Sequence, residues 1–227
     1  MEDEKRVFRS VWLLLCGFCV AAVAVLVLCM THRMALPDNV GRPLSGQEAA
    51  QVAGRNSPLI DYIYLSPNGD FPRDNAIQKI TIHHMAGDLA LEGLGADFAQ
   101  EDRRASSNYA IDSQGRVALY VEECNRAWTS SSRENDGQAV TIEVANDQVG
   151  GDWHVSDEAY EALLALCTDI CRRNGIKSLR FTGDASGNLT LHNMFNSQTQ
   201  CPGPYLESRM EEIAQEVNRR LGNETAF

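Results

Sequence analysis

The chain has 227 residues, 31 of them acidic and 20 basic, giving a formal charge of −11 and a pI near 4.9. That balance argues against nucleic acid or anionic lipid as a bulk partner, because both attract basic surfaces. With the first thirty residues set aside, the remainder is long enough for one domain with a proper hydrophobic core.

Val11 to Met30 carries no charge and is long enough to cross a bilayer once as a helix. Lys5, Arg6 and Arg9 precede it, and Arg33 and Arg42 follow. The bias places residues 1–10 in the cytoplasm. No small-x-small cleavage site follows the run, which exceeds a usual signal-peptide core, so 11–30 reads as an uncleaved signal anchor. The expectation is a single-pass protein of the cell membrane with its folded part outside the cytoplasm. The seven cysteines form no disulfide framework. Cys16, Cys19 and Cys29 are small hydrophobes in the apolar run, and Cys167 and Cys171 suit the inner face of a helix.

Residues 31–56 are polar and turn-rich and read as a tether, with one short helix signalled by the capping-box pair Ser45 and Glu48. The compact domain is expected over 57–227. Alternation in Lys79–His84 and Ala139–Ala145 predicts strands, with Ile80 and Ile82 facing away from Thr81 and His83. The spacing of Leu91, Leu94 and Phe98 predicts a short helix. Ser113-Gln114-Gly115 reads as a hairpin turn between Asn108–Asp112 and Arg116–Val121. Asp157–Asn174 is the best helix: Ser156 caps it, Arg172 and Arg173 suit its last turn, and Gly175 ends it. A strand is expected around Leu179–Thr182, then a final helix begun by Pro204. Strands interleaved with helices predict an α/β domain with a single mixed central sheet flanked by helices.

His83 stands at a strand end, and His192 precedes a segment closing with Cys201-Pro202-Gly203-Pro204. Two imidazoles and a thiolate suit zinc, and three protein ligands leave a position open for catalysis. Spacing alone leaves these residues open between ligands and ordinary core or surface positions. The local strings decide further. TIHHMAG (81–87), SSNYAIDSQGR (106–116), AVTIEVAN (139–146), LTLH (189–192) and TQCPG (199–203) occur in that order. The succession resembles the type 2 N-acetylmuramoyl-L-alanine amidases, a family shared by phage amidase-type lysozymes and peptidoglycan recognition proteins.

The resemblance, running from about Ile80 to Leu206, implies a zinc enzyme that cuts peptidoglycan between N-acetylmuramic acid and L-alanine. It implies zinc ligands at His83, His192 and Cys201. Tyr109 matches the tyrosine that the family places beside the metal. Thr199 stands where phage enzymes carry lysine, and looks like the active peptidoglycan recognition proteins. Glu143 matches a glutamate that some branches hold near the metal, and reads as general base, ligand-orienting group or solvated strand residue. Trp128 is a candidate for the substrate groove, and His84 for its rim. The partners implied are peptidoglycan and, through the N-terminal helix, the membrane, with the chain a monomer. A non-catalytic peptidoglycan receptor and a zinc peptidase acting on stem peptides are the alternatives.

Overall fold

The computed structural model describes residues 36–222. The anchor expected at 11–30 and the cytoplasmic segment 1–10 lie outside the described residues. Among those described, no helix is long and apolar enough to cross a membrane.

One mixed sheet organises the domain. In chain order its strands are β1 (Ile60–Ile63), β3 (Lys79–His84), β4 (Tyr109–Ile111), β5 (Val117–Leu119), β7 (Ala139–Val144) and β8 (Leu189–Leu191), arranged β1-β5-β4-β7-β3-β8. Only the β4–β5 hairpin is antiparallel, while β4, β7, β3 and β8 run parallel. A separate two-stranded ribbon pairs β2 (Gly69–Asp70) with β6 (Arg126–Ala127). The predicted β3 and β7 form because alternating β-branched residues serve two different layers.

On one face Ile80, Ile82, Ile111, Val140, Ile142 and Val144 join the main core. The covering helices are α4 (Asp157–Arg173) and α6 (Met210–Gly222). Leu163, Cys167, Ile170 and Cys171 of α4 and Ile213 and Val217 of α6 are buried there. Each fully buried aliphatic side chain is worth about 1.5–3 kcal/mol. Ser156 caps α4 as expected, accepting the Ala159 N–H at 3.2 Å. Cys167 and Cys171 are free and buried.

On the opposite face, helix α2 (Leu91–Phe98) covers Ala110, Ala118 and Tyr120 with Leu91, Leu94 and Phe98. Beside this patch lies a buried polar layer. The Thr81 and Thr190 hydroxyls meet at 2.9 Å, and Asn135 in the short helix α3 (Arg133–Gln138) donates to Thr81. Thr141 meets Thr129 at 2.9 Å, and Asn108 pairs with the Thr141 backbone. These bonds matter because a buried hydroxyl left unpaired costs about 1–3 kcal/mol.

Five sequence expectations are corrected. The tether does not extend to residue 56: the compact unit begins at Asp38, with Leu44 and Val52 in the core. Its helix α1 (Gly46–Ala53) lacks the capping box, since the Ser45 side chain makes no cap bond and Glu48 pairs with Arg42 at 2.7 Å. No strand forms at 179–182: the Asn218 amide takes the backbone of Leu179 through both of its hydrogen bonds, and β8 occupies the sheet edge instead. The final helix is split into α5 (Gly203–Glu207) and α6.

Tyr109 is the fifth. Its register partner on β7 is Ile142, itself paired with Ile82, so its side chain belongs to the helix-covered face. Its hydroxyl donates to Glu123 Oε1 at 2.7 Å, and the Arg173 guanidinium binds the same carboxylate at 2.7 and 2.9 Å. Burial and that carboxylate raise the Tyr109 pKa well above its usual value, so the phenol stays a donor. It is therefore not beside His83, whose register neighbours are Glu143 and, beyond it, Ala110. Tyr109→Phe should lower stability by about 1 kcal/mol, the net worth of one hydrogen bond, read as a reduced urea midpoint with an unchanged slope.

Candidate metal centre

The parallel strands β7, β3 and β8 present their carboxyl ends together, the position where open parallel sheets place their sites. His83 lies at the end of β3, opposite Glu143 on β7, and His192 immediately follows β8. Cys201 arrives from the loop before α5. Donor atoms of His83, His192 and Cys201 all lie within 4.8 Å of one another. Cys201 Sγ stands 3.6 Å from His83 Nδ1, and the two imidazole centroids are 4.7 Å apart. A tetrahedral zinc with Zn–S of about 2.3 Å and Zn–N of about 2.05 Å would set S···N edges of about 3.6 Å. His83 is almost wholly buried, yet its Nε2 has no partner, and neither do His192 Nε2 and Glu143 Oε2. Orphaned buried polar atoms are costly, and these belong to two of the three donor residues and to the carboxylate beside them. The donor set therefore fits a zinc ion.

The electrostatics agree. Burial, then the neighbouring His192 and His84, hold the His83 pKa well below the ordinary value, and burial lowers that of His192. Both rings thus keep neutral lone pairs. Burial pushes the Cys201 thiol up, Glu143 adding to the rise, while the His84 backbone N–H, 3.3 Å from Sγ, opposes it. Burial raises Glu143 to about 8. A thiol and a carboxyl forced towards their neutral forms side by side are groups that a nearby cation would return to their anions. Glu143 Oε1 lies 4.0 Å from His83 Nδ1.

His192, Cys201 and Glu143 floor a pocket of about 440 Å³, with His83 buried behind them. One wall is apolar, formed by Met85, Leu89, Leu94 and Phe98; the other carries Ser106, Trp128, Thr129 and Ser131. Trp128 does line this groove, its indole N–H donating to Asp70 Oδ1 at 3.0 Å, and Arg126 braces the same Asp70 carboxylate at 2.7 Å. Thr199 also lines it. Its Oγ1 accepts the Cys201 N–H at 3.1 Å, leaving the hydroxyl proton free to be donated elsewhere. His84 reaches the pocket although strand alternation turns it away from His83, because β3 ends there. Its ring packs edge-on against Trp153, centroids 5.1 Å apart.

Sequence reasoning missed Asp97 and Arg103, which line the pocket from α2 and the turn after it, and it missed the apolar wall. Their spacing signalled only an amphipathic helix. The Cys201-Pro202-Gly203 turn has its own constraint. Gly203 sits at φ 84°, and an added Cβ would come within 3.0 Å of Trp153 and 3.2 Å of the His84 ring. Gly203→Ala should cost about 1–2 kcal/mol from the left-handed conformation alone, with contact strain added, measurable by chemical unfolding.

The fold has known counterparts. It is similar to a selenomethionine derivative of AmpD at 19% identity, covering 67% of this chain and 93% of that one with a TM-score of 0.52. It is also similar to LysCS, the endolysin N-acetylmuramoyl-L-alanine amidase from Clostridium intestinale URNW, at 17% identity, 70% and 97% coverage and a TM-score of 0.51. The catalytic domain of XlyA matches at 15% identity, 68% and 97% coverage and a TM-score of 0.51. No curated protein sequence matches the chain. The family model for N-acetylmuramoyl-L-alanine amidases matches residues 73–204, more than half of the chain and all of the pocket floor. This chain belongs to the type 2 N-acetylmuramoyl-L-alanine amidases.

Proposed function

We propose that the chain hydrolyses the amide between N-acetylmuramic acid and L-alanine in peptidoglycan with a zinc ion held by His83, His192 and Cys201. The observation that carries this reading is the convergence of those three donors within 4.8 Å, with His192 and Cys201 lining an open pocket. Zinc bound there would supply Lewis acidity towards the scissile carbonyl and acidify water towards a pKa of about 7.

The protein's own groups do the rest. Glu143, close to His83 and open to the pocket on one side, takes a proton from the attacking water. It returns that proton to the leaving nitrogen, so the carbonyl carbon gains hydroxyl and L-alanine departs as a free amine. The Thr199 hydroxyl donates to the oxyanion that develops on the carbonyl oxygen. Trp128 and the apolar wall hold the substrate and exclude water. Tyr109, on the far face of the sheet, has no part in the chemistry. The uncharged run 11–30 supports a single-pass anchor that keeps the domain on the outer face of the membrane, beside its substrate.

Release of stem peptides from purified peptidoglycan should stop with a chelator and return with added zinc. Cys201→Ser should lose both bound zinc, by elemental analysis, and turnover; a serine variant with full activity would sink the ligand assignment. Thr199→Val should retain zinc but lower kcat by about 10²–10³, the usual cost of one oxyanion donor. Tyr109→Phe should keep its kcat, and a large loss there would return Tyr109 to the site.

A further inference from the structure

We propose that Arg103 reads a carboxylate of the stem peptide, making the enzyme selective for substrate whose second stem residue, D-glutamate, keeps a free α-carboxylate. The inference rests on the amidase reading above and names which form of that substrate is preferred. Peptidoglycan stems begin L-alanyl-γ-D-glutamyl, and the γ-linkage leaves the α-carboxylate of D-glutamate unengaged one residue beyond the released L-alanine. An anionic peptide approaching a chain of net charge −11 is repelled overall and needs a local cation.

Among the described residues lining the pocket, Arg103 is the single lysine or arginine. Its place is built rather than incidental. The 3₁₀ turn Glu101–Arg103 follows α2, the Arg103 N–H donates to Gln100 O at 3.1 Å, and Arg104 closes the turn in the left-handed region at φ 48°. Asp97, six residues back in the last turn of α2, accepts from Arg103 Nε at 2.6 Å. That bond fixes the guanidinium plane and leaves the two terminal amino groups for a second, bidentate partner. Both members of the pair are about half exposed, so the pair itself contributes little to stability. Leu94 and Phe98 on the same wall withhold water and strengthen any ion pair formed against them.

The test compares kcat/KM of the full-length, zinc-loaded chain on N-acetylmuramyl-L-alanyl-D-glutamate and on its α-amide, N-acetylmuramyl-L-alanyl-D-isoglutamine. The wild type should favour the acid about tenfold, the scale of one hydrogen-bonded charge. Arg103→Gln should erase that ratio, Arg103→Lys should restore part of it, and Arg104→Gln, whose residue does not line the pocket, should keep it. Equal use of acid and amide by the wild type, with turnover of both, would overturn the role of Arg103 and leave the amidase reading intact. Loss of the preference in Arg104→Gln to the same degree would overturn it too, by assigning the effect to net charge. Absence of turnover on either compound would overturn the amidase reading and this inference with it.

Discussion

The parallel pairing of β7, β3 and β8 is the constraint on which the rest of the structure depends. Parallel strands end at the same edge of the sheet, so residues far apart in the chain arrive together. His83 and Glu143 are register partners, and β8 adds His192 one residue beyond its last ladder position. A slip of one residue in either ladder would send His83 or Glu143 into the helix-covered core and bring an isoleucine or valine to the site. The helices α4 and α6, and the aliphatic face they bury, hold that register in place.

The same geometry makes the site costly to build. Two neutral imidazoles, a thiol and a carboxyl are taken from water and set within a few ångströms of each other, and several of their polar atoms have no partner in the protein. Burial drives each towards its uncharged form, so the cluster is poised to favour whatever brings positive charge. Beneath it, the Thr81–Thr190 and Thr129–Thr141 pairs and the Asn108 and Asn135 amides form a hydrogen-bonded polar layer, with Asn135 Oδ1 left without a partner. Its hydrogen bonds link β3 to β8 and β7 to the chain before β4, which keeps the donors converged.

Around the floor, the pocket is asymmetric in chemistry. The Leu94 and Phe98 side is apolar and carries the guanidinium of Arg103 at its edge, while the opposite side offers hydroxyls and the Trp128 indole. The ribbon of β2 and β6 exists to set that second wall, since Asp70 on β2 receives both the Trp128 N–H and Arg126. In the proposed reaction these two unlike walls would orient the substrate, with the reacting amide brought to the donors between them.

Local pattern determined much of this protein by itself. The alternation in β3 and β7, the hairpin at Ser113–Gly115 and the capped α4 are short-range consequences of residue type, and all form where the pattern places them. The motif strings named the donors His83, His192 and Cys201, which the fold then brings together. Tertiary structure decided what neighbours in sequence cannot encode. Tyr109 looked like a site residue by motif, but its side-chain direction depends on pairing with Ile142, and that pairing buries it against Glu123 and Arg173. Residues 38–56 looked like a tether because they are polar and turn-rich, yet Leu44 and Val52 find core partners more than ten residues away. Arg103 and Asp97 carry no signal in the chain, since a charged pair at the end of a helix is ordinary; only the packing of α2 over the sheet makes them a wall of the pocket. Side-chain identity is local, whereas which face a residue serves is settled by partners that the folded chain alone supplies.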